Sequence, residues 1–162
     1  MVIIVIGAAG AGKSTIGAAL AAALGWSFID ADDFHTPANI ARMRAGVGLS
    51  DEDRAPWLVR VRQAILEHTG RHQPVVVACS ALKRRYRDIL TAGVDDARLV
   101  YLQADEVLLE NRLRNRRGHF AGPALAATQL HDLEAPQAEA LYVDASLAPH
   151  VLVAEIRRAL SV

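Results

Sequence analysis

A glycine-rich segment near the amino terminus has the residue types and spacing of a phosphate-binding loop. Residues 7–14 read Gly-Ala-Ala-Gly-Ala-Gly-Lys-Ser and fit G-x-x-x-x-G-K-[ST] without a gap. Glycines let the backbone curl so that successive N–H groups point at phosphate oxygens, and the helix start that follows adds partial positive charge. In such a loop the lysine reaches the β- and γ-phosphates and the hydroxyl binds Mg²⁺. We therefore predict an ATP site formed by Gly7, Ala8, Ala9, Gly10, Ala11, Gly12, Lys13, Ser14 and Thr15, with Lys13 catalytic and Ser14 a metal ligand.

The loop motif alone does not separate kinases from GTPases or motor ATPases. The chain has 162 residues, which is too short for most members of those two classes. It also contains no N-K-x-D segment, the usual guanine-reading sequence. We therefore expect phosphoryl transfer to a small acceptor. A nucleotide-binding regulatory module that has lost catalysis is the alternative from another class.

Three carboxylates follow the second apolar run, in the segment Asp30-Ala31-Asp32-Asp33-Phe34-His35. Like charges this close suggest a metal ion or a proton to be held, and phosphoryl transfer needs both. On an extended strand end the D-x-D spacing places Asp30 and Asp32 on one side. We assign Asp30 to Mg²⁺ through water, Asp32 to the acceptor hydroxyl as a catalytic residue, and His35 to the substrate. The alternative is a solvated turn or a helix cap.

Polar side chains farther along the chain are candidates for holding the acceptor. Arg54 follows an acidic helix start, and its guanidinium could grip a carboxylate through two parallel hydrogen bonds. Its alternative is an ion pair with Asp51 or Asp53. Ser80 and Lys83 follow the third apolar run and should project into the same cleft.

An arginine-rich stretch precedes Gly118 and has the composition expected of a lid over the phosphates. Arg112 and Arg116 are four residues apart and would share one helix face. Cations on a segment that closes over the site can stabilise the charge on the transferring group. We assign both arginines to the nucleotide and Arg116 also to catalysis, in a lid of approximately residues 116–130. A solvated basic face is the alternative.

Short apolar runs alternate with longer helical stretches throughout the chain. The predicted strands lie at residues 2–6, 28–29, 75–78, 99–102 and 141–143, and the predicted helices at 13–24, 51–69, 83–91, 105–116 and 148–160. Continuous apolar strands suit a parallel sheet that is buried on both faces. The order of elements predicts an α/β layer fold, in which ligands bind where the strands end.

Composition narrows the cellular setting and the partners. The net charge is zero, so no basic excess points to nucleic acid. Cys79 is the sole cysteine, which excludes an internal disulfide framework and fits a reducing compartment. The first apolar run is too short to span a membrane. We expect a single domain over residues 1–162, located in the cytoplasm, with neither nucleic acid nor membrane as a partner.

Several segments together resemble the gluconokinase family of the shikimate-kinase-like group. They are the phosphate loop, DADDFH, the pattern G-x-G-L-x-D-x-D-R-x-P-W-L over residues 46–58, CSALKRRYRDIL and RGHF. The resemblance implies a P-loop NTPase three-layer fold with a five-stranded parallel sheet and a mobile lid. It also implies ATP- and Mg²⁺-dependent phosphorylation of D-gluconate on its 6-hydroxyl, a homodimer, and Lys83 as a substrate ligand.

This chain departs from the family pattern at a few positions, and kinases of the same fold with other acceptors are rival assignments. Small residues stand at Ala8, Ala11, Ala31 and 121–124, where the family commonly has others, and we interpret these changes as neutral. A shikimate-like or nucleotide kinase of the same fold is the nearest rival. CSALK stands where a shikimate kinase has a glycine triplet, and no aromatic pair is evident in these loops to sandwich a base.

Overall fold

Five parallel strands form one sheet in the computed structural model, which describes residues 1–115 and 123–162. The strand order is β2-β3-β1-β4-β5, so the first strand lies at the centre. Ile4, for example, is opposite Val77 on one side and Leu99 on the other. The strands are β1 (Val2–Ile6), β2 (Ser27–Asp30), β3 (Val75–Ala78), β4 (Ala97–Gln103) and β5 (Ala140–Asp144).

Helices connect the strands and cover both faces of the sheet. They are α1 (Lys13–Leu24), α2 (Pro37–Arg44), α3 (Asp51–Gly70), α4 (Arg84–Thr91), α5 (Glu106–Asn115), α6 (Pro123–Asp132) and α7 (Pro149–Leu160), with a short 3₁₀ helix at Ala31–Phe34. The predicted helices are confirmed within one or two residues where they fall on described residues. Helices α2 and α6 were not predicted, because each is short and lacks a long apolar stripe.

Side chains of β1 alternate between two apolar cores. Ile3 and Val5 pack with residues of α1, α5 and α7, whereas Ile4 and Ile6 pack with residues of α3 and α4. All of these β1 side chains are buried, which is why this strand reads as a continuous apolar run rather than an alternating one. The result is the predicted α/β architecture, a parallel sheet between two helical layers.

Because the strands are parallel, the loops after β1, β2, β3 and β5 emerge at one edge of the sheet. The central position of β1 places the phosphate-loop motif between the acidic segment and the CSALK segment on one side and the end of β5 on the other. Among the described helices, none is both long and apolar enough to cross a membrane.

Candidate active site

The phosphate loop has backbone angles that only glycine adopts without strain. Gly10 has φ 87° and Gly12 has φ 98°. A Cβ atom built on Gly10 would lie 3.0 Å from the carbonyl oxygen of Leu109, and one on Gly7 would lie 3.0 Å from that of Leu102. The loop therefore packs tightly against the ends of neighbouring elements, and helix α1 begins directly after it at Lys13.

A cleft of about 330 Å³ opens beside this loop and joins the residues predicted for the nucleotide to most of those predicted for the acceptor. Its described lining includes residues 9–15 of the phosphate loop, together with Asp32, His35, Arg54, Ser80, Arg112 and Gln129. The cleft thus places a phosphate-binding backbone within the same cavity as a carboxylate and a buried guanidinium.

Lys13 lies at the base of the cleft with its side chain folded back along the loop. Its Nζ donates to the carbonyl oxygen of Ala8 at 3.0 Å. The same oxygen accepts from the N–H of Ala11 at 3.2 Å. The ammonium is therefore held within the loop, where phosphate oxygens are expected.

The acidic segment differs from the extended strand end that the sequence suggested. Residues Ala31–Phe34 form a 3₁₀ helix, and Asp30 is its N-cap, with Oδ1 accepting from the N–H of Asp32 at 3.0 Å. The prediction that Asp30 and Asp32 share one side of an extended strand is therefore wrong. Asp32 lines the cleft, whereas Asp30 is not among the described residues that do so. The capping bond explains why two neighbouring aspartates take different positions.

His35 is a buried ring packed against the core. It stacks on Trp57 with ring centroids 4.4 Å apart and an interplanar angle of 12°. Its side chain is 5% exposed, and Nε2 lies 3.9 Å from Oδ1 of Asp32. Burial lowers the pKa of His35 to about 4, although the Asp32 carboxylate opposes that shift. The ring is therefore neutral near pH 7 and can exchange hydrogen bonds with a hydroxyl without carrying charge.

Trp57 supports that ring from the core. It is 0% exposed, and its Nε1–H donates to the carbonyl oxygen of Ala31 at 2.6 Å. Helix α3 therefore holds the acidic segment in place through one buried indole.

Arg54 is almost fully buried, at 4% exposure, yet it borders the cleft. Its Nε donates to the carbonyl oxygen of Leu49 at 3.1 Å, and its guanidinium lies 5.6 Å from the centre of the Tyr86 ring. The alternative ion pairs with Asp51 and Asp53 are not formed. Among the described residues no carboxylate forms an ion pair with Arg54.

The prediction that Lys83 projects into the cleft, made from its position after the third apolar run, is wrong in this structure. Lys83 is the N-cap residue of α4, and its Nζ pairs with Oδ1 of Asp51 at 3.3 Å. It is not among the described residues that line the cleft. Asp51 also accepts from the hydroxyl of Tyr86 and from Arg85, and these bonds, the Tyr86 bond first, lower the pKa of Asp51 to about 2. In this arrangement Lys83 ties α4 to the start of α3.

The residues after β3 divide between the cleft and the core. Ser80 is buried and lines the cleft, as predicted. Cys79 beside it is buried, and burial raises the pKa of its thiol to about 12, so it behaves as a small apolar side chain. Ala81 has φ 39°, an uncommon backbone angle for a residue with a Cβ.

Arg112 reaches the phosphate loop from α5. Its Nη1 donates to the carbonyl oxygen of Ala11 at 3.2 Å and its Nη2 to that of Ala145 at 2.7 Å. It borders the cleft beside the phosphate loop, and its role toward the nucleotide stays a prediction. The other predicted lid cation, Arg116, lies outside the described residues, as does the first part of the predicted lid.

The cleft also contains residues to which the sequence assigned no role. The segment after β5 contributes Ala145, Leu147, Pro149 and Leu152, an apolar wall at the nucleotide end. Gln129 of α6 accepts a hydrogen bond from the N–H of Ala9 at 2.8 Å. The sequence offered one signal for the apolar segment after β5: a loop that follows this edge strand lies at the same edge of the sheet as the phosphate loop.

Comparisons with known proteins agree with this geometry. A sequence model of the shikimate kinase family matches residues 9–158. A probable gluconokinase of Mus musculus is 43% identical over 90% of this chain and 89% of its own length. The crystal structure of a gluconokinase from Sinorhizobium meliloti 1021 has a TM-score of 0.84 and 41% identity, covering 98% of this chain and 90% of that one. An unliganded sugar kinase from Janibacter sp. HTCC2649 has a TM-score of 0.91 and 34% identity, covering 99% and 94%.

A parallel sheet with a phosphate loop after its central strand, and a carboxylate in the same cleft, defines a P-loop phosphotransferase of the shikimate kinase type. Sequence identity over nearly the whole chain then narrows the class. The chain belongs to the gluconokinase family.

Proposed function

We propose that this enzyme transfers the γ-phosphoryl group of ATP to the 6-hydroxyl of D-gluconate. The observation that carries the proposal is the shared cleft, in which the phosphate loop faces Asp32 and the buried Arg54. Relatives named gluconokinase support the choice of acceptor. The roles below are those that the chain's own groups can perform from their positions.

The nucleotide end of the cleft is built for a triphosphate. The N–H groups of the loop and of the first turn of α1 supply hydrogen bonds and partial positive charge. The ammonium of Lys13 donates to the carbonyl oxygen of Ala8. A shift of that ammonium to the β- and γ-phosphates would exchange a carbonyl partner for an anionic one. Arg112 borders the same region, and the apolar wall after β5 suits a base.

At the transfer point, Asp32 is the carboxylate that can accept the proton of the attacking hydroxyl. It lines the cleft, and the Asp30 cap fixes the backbone beneath it. The neutral ring of His35, 3.9 Å away, can hold a substrate hydroxyl without carrying charge. Positioning of this kind, rather than covalent chemistry, is what phosphoryl transfer requires of a protein.

The acceptor's carboxylate is assigned to Arg54. A buried guanidinium without a carboxylate partner among the described residues is unfavourable, and an anionic ligand would relieve that cost. Ser80 adds a hydroxyl nearby. Lys83 can contact the acceptor only by giving up its ion pair with Asp51, so we assign the carboxylate to Arg54 before Lys83.

The donor set also fits Mg²⁺. Ser14, the last residue of the phosphate-loop motif, lines the cleft. Among the described residues, no cluster of three or more acidic, histidine or cysteine side chains could hold a metal ion by itself. A site with few protein ligands suits Mg²⁺, which keeps several waters and binds substrate phosphates. When bound, the ion would neutralise charge that develops on the phosphates. Ser14 would bind it directly, and Asp30 would act through water with the carboxylate oxygen that does not cap the 3₁₀ helix.

An assay of ADP release across a panel of acceptors tests the proposal. We expect turnover with D-gluconate, far less with D-glucose, which lacks the carboxylate, and none with shikimate or nucleoside monophosphates. NMR of the product should place the phosphate on the 6-hydroxyl. Preference for glucose or a nucleotide would overturn the acceptor and leave phosphoryl transfer standing. Absence of ATP binding would overturn both.

The family resemblance carries two further expectations, a homodimer and a cytoplasmic location. Neither nucleic acid nor a membrane is expected as a partner. Light scattering of the purified protein would test the first of these expectations.

A further inference from the structure

One hydrogen bond joins helix α6 to the phosphate loop across 120 residues of sequence. The N–H of Ala9 donates to Oε1 of Gln129 at 2.8 Å, and the contact is buried. Gln129 itself is 7% exposed and borders the cleft. Since the backbone group is a donor, the glutamine must present its carbonyl oxygen, which determines the orientation of its amide.

The same peptide unit is held at its other end. The carbonyl of Ala8 and the N–H of Ala9 belong to one planar group. That carbonyl accepts from Nζ of Lys13 at 3.0 Å and from the N–H of Ala11 at 3.2 Å. Rotation of this peptide plane would break hydrogen bonds at both ends, so its orientation is well defined.

Orientation of this plane matters because the loop must present N–H groups to an anion. A rotated peptide would break the bond from the N–H of Ala11 to the carbonyl of Ala8, which holds the curl of the loop that directs the following N–H groups at phosphate oxygens. Under the proposed function, Lys13 gives its ammonium to the phosphates and releases Ala8. Gln129 is then the side chain, among those described, that still holds this peptide from outside the loop.

We infer that Gln129 is a positioning residue for the nucleotide: it holds the Ala8–Ala9 peptide so that the phosphate loop keeps its binding shape. The inference rests on the proposed binding of ATP but not on the identity of the acceptor. It also couples α6 to nucleotide binding, because any interaction that keeps α6 packed against the loop raises the affinity of the loop for the triphosphate. By linkage, a bound nucleotide stabilises the packing of α6 against the loop by the same free energy.

Gln129→Met tests this role, because methionine keeps the length of the side chain and removes the acceptor. Loss of one buried hydrogen bond predicts about a threefold to tenfold rise in the Kd of a non-hydrolysable ATP analogue with Mg²⁺, measured by calorimetry. The KM for ATP should rise in proportion. The KM for D-gluconate and kcat at saturating ATP should stay within about twofold. Gln63→Met, on the exposed face of α3, is the matched control and should leave the Kd unchanged.

Several outcomes would overturn the role. They are a Kd for the analogue equal to that of wild type, a rise in this Kd no larger than that of the Gln63→Met control, or a rise in the D-gluconate KM without any change in analogue binding. If Gln129→Met does not fold by circular dichroism, Gln129→Asn serves instead. Asparagine keeps the amide but is one methylene too short to reach Ala9, so wild-type affinity in that variant is equally contradictory. Analogue binding without phosphorylation of D-gluconate would leave this inference intact and refute only the acceptor.

Discussion

Buried His35 should make the folded protein sensitive to mild acid. Its pKa is about 4 in the folded state against 6.5 for the free side chain. Between pH 6.5 and about pH 4 the unfolded chain therefore binds a proton that the folded chain does not bind. Stability contributed by the neutral ring is present above pH 6.5 and is lost as the pH falls toward 4.

The size of this effect follows from the two pKa values. Between about pH 7.5 and about pH 5, linkage gives a loss of about 2 kcal/mol in the free energy of unfolding. Because the ring borders an open cleft, solvent screening reduces this, and we expect about 1 to 2 kcal/mol. Urea unfolding followed by circular dichroism at the two pH values measures it directly.

His35→Gln removes the titrating ring and is the test variant. It should be less stable than wild type at the higher pH, because the stacking on Trp57 is lost, but its stability should change less between the two pH values. His131→Gln is the matched control, since that side chain is 90% exposed. If His35→Gln and wild type lose the same stability on acidification, the argument from burial is refuted.

Three further predictions concern the proposed chemistry. Lys13→Met should lower kcat by roughly 10²- to 10³-fold, as for other removed electrostatic groups, and near-normal turnover would contradict its role. Asp32→Asn should keep the Kd for ATP but lower kcat by roughly 10²- to 10⁴-fold, as for a lost general base. A parallel loss of ATP binding in that variant would instead assign Asp32 to the metal. Arg54→Ala should raise the D-gluconate KM roughly tenfold to hundredfold with little change for ATP, as for a lost charge-assisted bond. An equal loss for both substrates would point to a packing defect.

Local sequence patterns were sufficient for the phosphate loop and the sheet. The Gly and Lys-Ser spacing of the loop depends on backbone angles within eight consecutive residues, and the structure has the expected glycine conformations there. The five strands were predicted from continuous apolar runs, and the reason applies best to β1 and β3, which are buried at every position, because a parallel strand that is covered on both faces has no polar side. Helix α2 could have been found from Thr36-Pro37, a cap followed by proline at the first turn, which the structure confirms as its start.

Choices between neighbouring polar residues could not be made from local patterns. The acidic segment offers several carboxylates, and only the 3₁₀ turn shows that Asp30 caps the backbone while Asp32 lines the cleft. Lys83 follows a strand that ends at the cleft, yet its ammonium is drawn to Asp51 across the gap between α4 and α3. A side chain with several rotatable bonds goes to the partner that the fold brings near, and the chain order does not reveal that partner.

The sequence by itself thus determined the class of fold, the phosphate loop and the set of groups available for phosphoryl transfer, since these follow from short-range spacing and burial periodicity. Only the tertiary structure decided which of those groups meet. It brought Arg54 to the cleft without a carboxylate partner among the described residues, and it placed Oε1 of Gln129 where it accepts from the N–H of Ala9. Both results depend on contacts between elements far apart in the chain, where packing of the two helical layers, rather than residue order, sets the distances.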